Sequence, residues 1–107
     1  MNDRIFMNLI YDFYGELLTE KQKNVFESHF AEDLSFVEIG EVLGISKQAA
    51  WDILNRTKKQ LLKYEEKLGL AERFLNNKKE LEKAKNLLEE GPADKAEKIL
   101  EELIEHF

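Results

Sequence analysis

The chain has 107 residues, of which 43% are apolar and 36% charged, with five glycines, one proline and no cysteine. That size and make-up exclude an enzyme with separate cofactor and substrate domains, a disulfide framework, a thiolate metal site and a cysteine nucleophile, and they match an all-α protein rather than one built on a sheet. Sixteen basic against 22 acidic side chains give a formal charge of −6, so any nucleic-acid contact must be local rather than the work of a global positive field.

Asp3 and Asp12 interrupt the apolar residues at the N-terminus, leaving no uncharged stretch long enough for a signal peptide or an integral membrane segment. A soluble, cytoplasmic protein is expected. Ile5, Phe6, Leu9, Ile10, Phe13 and Leu17 recur at helical spacing and predict a first helix with those residues on its apolar face, weakened near its end by Gly15. Thr19-Glu20-Lys21-Gln22 reads as a capping box that starts a second helix carrying Val25, Phe26 and Phe30. Ser35-Phe36-Val37-Glu38 is another, with Leu34 and Ile39 as a hydrophobic staple, and Gly44 stops the short helix it begins.

Ser46 caps a fourth helix, and the next proline is Pro92. Leu54, Leu61, Leu68 and Leu75 recur every seven residues, the spacing of a long helix packed on a partner, and they predict a homodimer seam. Gly69 interrupts the row and is read as a kink in a continuing helix, since no second breaker stands beside it. The apolar phase shifts after Asn76-Asn77 to Leu81, Ala84, Leu87 and Leu88, which predicts a separate helix to about Glu90. Gly91-Pro92 is a turn, and Asp94-Lys95-Ala96-Glu97 is expected to cap a last helix with Ile99, Leu100, Leu103, Ile104 and Phe107 on one side. The expected organisation is a helix-turn-helix part over residues 1–67 and a helical extension over residues 68–107, packed on the first part or on a partner.

Phe36 to Ile53, FVEIGEVLGISKQAAWDI, carries the most specific pattern. A helix-turn-helix needs an apolar residue followed by a small one where its helices cross, a glycine in the turn and inward apolar residues beyond it. Ile39, Gly40, Leu43, Gly44, Ile45, Ala50 and Ile53 stand at those steps, so Ile39, Leu43, Ile45, Ala50 and Ile53 are expected to be buried at the crossing. From Ser46 to Lys63 there are five basic residues and one acid, Asp52, whereas the flanking segments are both net negative. The candidate nucleic-acid contacts are therefore Lys47, Gln48, Asn55, Arg56, Lys58 and Lys59, and Trp51 is the candidate anchor for a partner. Asp52 opposes phosphate unless it accepts from a cytosine amino group or pairs with Arg56.

The stretch from Leu17 to Leu61 resembles region 4 of bacterial sigma factors. With Tyr11-Asp12-Phe13-Tyr14, Leu17-Leu18-Thr19, Ser46-Lys47-Gln48-Ala49-Ala50-Trp51-Asp52, Arg56-Thr57 and Tyr64-Glu65-Glu66-Lys67-Leu68, the chain is similar to the small YlxM family of helix-turn-helix proteins over about residues 1–75. That resemblance implies an all-helical protein with a regulatory or accessory role in membrane-protein targeting, and the signal recognition particle GTPase or its RNA as partners. Where sigma region 4 has basic residues on its reading face, this chain has Ala49, Trp51 and Asp52. A DNA-binding transcriptional regulator and a structural dimer without nucleic acid are the alternatives.

Nothing in the sequence points to catalysis, a cofactor, a metal or a small-molecule substrate. His29 and His106 lack partners at metal-ligand spacing, and adjacent acids such as Glu65-Glu66 or Glu101-Glu102 do not face one another on a helix. The GEVLG stretch lacks the lysine and hydroxyl of a phosphate-binding loop.

Overall fold

Three of the expected helix starts are built by side chains within four residues of sequence. In the computed structural model, which describes residues 3–106, the Thr19 hydroxyl accepts from the Gln22 backbone N–H while the Gln22 side chain takes the Thr19 N–H, and helix α2 runs over Glu20–Phe30. Ser35 and Glu38 make the same reciprocal pair at the start of α3, Phe36–Leu43, and those bonds hold the Glu38 carboxyl below its ordinary pKa. Ser46 accepts from the Ala49 N–H and opens α4, Lys47–Leu68. Before them lie α1, Asp3–Tyr14, and a 3-10 turn over Gly15–Leu17; after them come α5, Leu70–Glu90, and α6, Ala93–Glu105. Among the described residues there is no strand. The chain divides into two compact units, Met1–Gly69 and Leu70–Phe107.

In the first unit α1, α2 and α3 all pack on α4. Its core is made of large side chains: Met7, Ile10, Tyr14, Val25, Phe26, Ile39, Leu54 and Leu61 are buried, each worth roughly 1.5–3 kcal/mol of apolar transfer. Met7, Ile10 and Tyr14 define the inward face of α1, so the expected face is rotated: Ile5 and Leu17 are exposed and Phe6 and Leu9 half-buried. Tyr14 can serve as a core residue because its hydroxyl donates to Glu65 Oε1 at 2.7 Å. Arg4 closes the other end of the unit. Its guanidinium donates to the Phe30 carbonyl at 2.8 Å and meets Asp33 at 2.7 Å, satisfying the C-terminal carbonyls of α2 with a cation.

The second unit is a helical hairpin whose buried residues, among those described, are Ala71, Ala84 and Ala96. Leu87, Ile99, Leu100 and Leu103 are half-buried, whereas Leu81, Leu88 and Ile104 are exposed. Arg73 ties the ends together by donating to the His106 carbonyl at 2.8 Å.

Several expectations for this half are corrected. Gly69 is a break: it adopts the left-handed conformation, φ 63°, as the C-cap of α4, and its N–H bonds the Glu65 carbonyl. One glycine in that conformation suffices to end a helix. Conversely, Asn76 and Asn77 lie inside a continuous α5, since helix-forming Leu, Ala, Glu and Lys on both sides outweigh the low propensity of two asparagines. Helix α6 begins one residue before Asp94, with Pro92 in the cap position, so Asp94 favours the helix end from its first turn instead of capping it. The expected inward Phe107 lies outside the described residues.

Candidate nucleic-acid interface

Gly44 takes φ 69° at the end of α3, and both its N–H and that of Ile45 bond the Gly40 carbonyl. The chain thereby turns sharply into α4. Gly40 is required for a different reason: a Cβ there would lie 2.5 Å from the Ile45 carbonyl oxygen, a backbone atom that cannot swing aside. These two glycines fix the helix-turn-helix. Ile39 and Ala50 are fully buried at the crossing, while Leu43, Ile45 and Ile53 are half-buried, Ile53 because it forms the wall of a surface cleft.

With its core side held by Ala50, Leu54, Thr57 and Leu61, α4 carries Gln48, Asp52, Asn55 and Lys59 on the opposite side, at steps of four, three and four, with Gln48 and Lys59 exposed and Asp52 and Asn55 half-buried. Lys47, Trp51 and Lys58 fall on one flank of that stripe and Arg56 on the other, so the six candidate nucleic-acid residues are spread over three strips of one helix. Their engagements differ. Lys47, Gln48, Arg56 and Lys59 are exposed. Lys58 is half-buried, with Nζ 5.9 Å from the centre of the Phe30 ring, and Asn55 donates to the Trp51 carbonyl at 2.9 Å. Asp52 accepts from Gln48 at 3.2 Å, which engages two polar groups of the outward stripe with each other.

Trp51 is 48% exposed and, with Lys47 and Gln48, lines a shallow recess of about 180 Å³. An aromatic face bordered by an ammonium and an amide suits either a stacked base or an apolar partner residue. On the opposite flank Leu17, Thr19, Lys21, Gln22, Ile53, Arg56 and Gln60 line a cleft of about 340 Å³ between the start of α2 and the middle of α4. The sequence reading assigned Gln22 to the cap alone and passed over Lys21 and Gln60. Polar residues three and four apart at Arg56, Gln60 and Lys63 were the available signal.

The leucine row is divided between a core and a surface. Leu54 and Leu61 belong to the first unit's core, because the turn after α3 brings α1 and α2 onto that face of α4; Leu68 is 59% exposed and Leu75 half-buried. Among the described residues no group of three or more His, Asp or Glu side chains is placed to hold a metal, and no helix is long and apolar enough to cross a membrane.

Residues 1–103 match the family model UPF0122, described as "Putative helix-turn-helix protein, YlxM / p13 like". A UPF0122 protein of Caldanaerobacter subterraneus subsp. tengcongensis is 46% identical over 87 residues, covering 81% of this chain and 74% of the relative. One from Clostridium novyi is 49% identical over 88 residues, 82% of this chain and 73% of its own length. A third, from Desulforamulus reducens, is 42% identical over 106 residues, with 92% and 91% coverage.

Proposed function

The chain belongs to the UPF0122 family of YlxM/p13-like helix-turn-helix proteins, and from that premise we propose that it is a cytoplasmic regulatory or accessory protein of the signal recognition particle pathway. In this reading the exposed face of α4 contacts the particle's RNA and Trp51 anchors its GTPase. The pathway enters through the resemblance drawn from the sequence. The observation that carries the nucleic-acid contact is that Lys47, Arg56, Lys59 and Lys63 are all exposed on one helix of a chain whose formal charge is −6. Four cations are enough for a weak, salt-sensitive contact that assists protein binding.

A DNA-binding transcriptional regulator is the second reading, favoured by the exposure of Lys47 and Gln48 at the Ser46-capped start of α4, the end from which a recognition helix reads base edges. Asp52 counts against it, because its carboxylate shares the outward stripe. We also propose the homodimer expected from the row Leu54, Leu61, Leu68 and Leu75, and sedimentation equilibrium at tens of micromolar, an order-of-magnitude range for a useful dimer, tests it.

The deciding experiment titrates signal recognition particle RNA, random RNA and genomic DNA fragments across a salt series, with and without the GTPase, reading the fluorescence of the single tryptophan. A log–log salt slope of about −3 to −4, with tighter binding when the GTPase is present, is expected. Tight selection of one DNA sequence at physiological salt would overturn this reading in favour of the second.

A further inference from the structure

The cleft between the start of α2 and the middle of α4 is bordered by a relay of amide hydrogen bonds. The Thr19 N–H donates to Gln22 Oε1 at 3.0 Å, Gln22 Nε2 to Gln60 Oε1 at 3.0 Å, and Gln60 Nε2 to the Tyr64 hydroxyl at 2.8 Å. Each amide oxygen in this relay already accepts a bond, and each amide nitrogen keeps a second hydrogen. Lys21 and Arg56 stand at the rim, both exposed, and neither is in an ion pair among the described residues. No carboxylate lines the cleft. Of the carboxylates next in sequence to lining residues, Glu20 is engaged by Lys23 at 3.5 Å, Asp52 accepts from Gln48 at 3.2 Å, and Glu16 borders a separate groove with Asp12 and Glu27. The exposed Leu17 and half-buried Ile53 add an apolar wall.

Spare amide hydrogens, two cations from different helices, a lining without carboxylates and an adjoining apolar wall fit a phosphodiester with its sugar. We propose that this cleft seats a backbone phosphate of the bound nucleic acid, with Lys21 and Arg56 neutralising it, the free amide hydrogens of Gln22 and Gln60 bonding its oxygens, and the sugar resting on Leu17 and Ile53. The footprint thus continues from α4 onto the start of α2. The inference rests on the reading that α4 contacts nucleic acid, and it adds Lys21, Gln22 and Gln60 to the contact set.

The test measures binding of an RNA hairpin and a DNA duplex of equal length across a salt series, for the native protein and for Lys21→Glu, Lys21→Arg, Lys59→Glu and Lys79→Glu. Lys21 is exposed in the first turn of α2, where an acid suits the helix end, so the reversal leaves the fold intact. Lys79→Glu makes the same charge change on α5 and controls for net charge. Lys21→Glu is expected to weaken binding by about tenfold relative to that control and to reduce the magnitude of the salt slope by about 0.7–0.9, with Lys21→Arg near native. Equal loss in both arms identifies the phosphate as the group read; loss with RNA alone identifies the ribose as part of the seat. If Lys21→Glu matches Lys79→Glu in affinity and slope while Lys59→Glu weakens binding, the cleft assignment fails and the α4 contact stands. Failure of the native protein to bind either probe at low salt overturns both.

Discussion

The two units of this chain solve the same problem, burying the face of an amphipathic helix, with different materials. The first encloses Met7, Tyr14, Phe26 and Leu61 among four helices, whereas in the second the buried side chains among the described residues are alanines and Leu81, Leu88 and Ile104 are in water. Alanine permits close approach but removes little apolar area from solvent, so the hairpin gains contact without much hydrophobic stabilisation. Stability should therefore be concentrated in the unit that carries the helix-turn-helix. The proposed contact surface then sits on the stiffer half of the molecule, as positioning of side chains against a ligand requires.

The largest expected effect that would break this contrast is on core deletion. Phe26→Ala should destabilise by about 3–5 kcal/mol and Leu88→Ala by no more than about 0.5 kcal/mol in urea unfolding followed by circular dichroism; comparable losses would mean that the hairpin shares the load. Next comes the crossing. Gly40→Ala should cost about 1–3 kcal/mol, since the new methyl meets backbone, and amide exchange should accelerate across α3 and the first turns of α4 while α5 is unchanged. Gly44→Ala and Gly69→Ala have open space around them, so each should cost about 1–2 kcal/mol from conformation alone. Melting of both variants, with Gly40→Ala the least stable of the three, separates steric from conformational demands. Ser46→Ala should remove about 1 kcal/mol through loss of the bond to the Ala49 N–H, read in the same melts.

The smallest effect is confined to alkaline pH. Partial burial, and then the hydrogen bond to Glu27 at 2.7 Å, raise the Tyr11 phenol above its ordinary 10.0. Because the unfolded chain releases that proton first, the stabilisation is complete below pH 10 and is lost as pH rises through the folded value. Tyr11→Phe should flatten the alkaline limb of a stability–pH curve relative to the native protein and leave the neutral region little changed. An unaltered limb would assign alkaline unfolding to other groups.

What could be read from the sequence was local. Thr19 with Gln22, Ser35 with Glu38 and the Ser46 cap act within four residues, and each helix starts where they stand. Gly40 and Gly44 were legible because a crossing and a turn each admit few residue types. Which side of α1 faces inward was not legible, because the buried Tyr14 finds an acceptor for its hydroxyl on Glu65, a partner 51 positions away. Leu54 and Leu61 likewise have a periodicity that fits a partner helix as well as the neighbours they actually have, and spacing alone cannot distinguish the two. The cleft was missed for a similar reason. Its two cations lie on different helices, and the Gln22 to Gln60 bond that joins those helices spans 38 positions.

The bond from Tyr14 to Glu65 also sets a clock. The caps of α2, α3 and α4 need only their own neighbourhoods, and helices form in about a microsecond or less once their residues are free. Yet the Tyr14 hydroxyl at the end of α1 has no acceptor on α4 until the chain has been made some 51 residues further, as far as Glu65. At a synthesis rate of about 5–20 residues per second that interval lasts about 3–10 seconds, a million times longer than helix formation in order of magnitude. During those seconds the first helix can already lean on α2 through Arg4 and Tyr11, while its Tyr14 hydroxyl waits for an acceptor that has yet to be made.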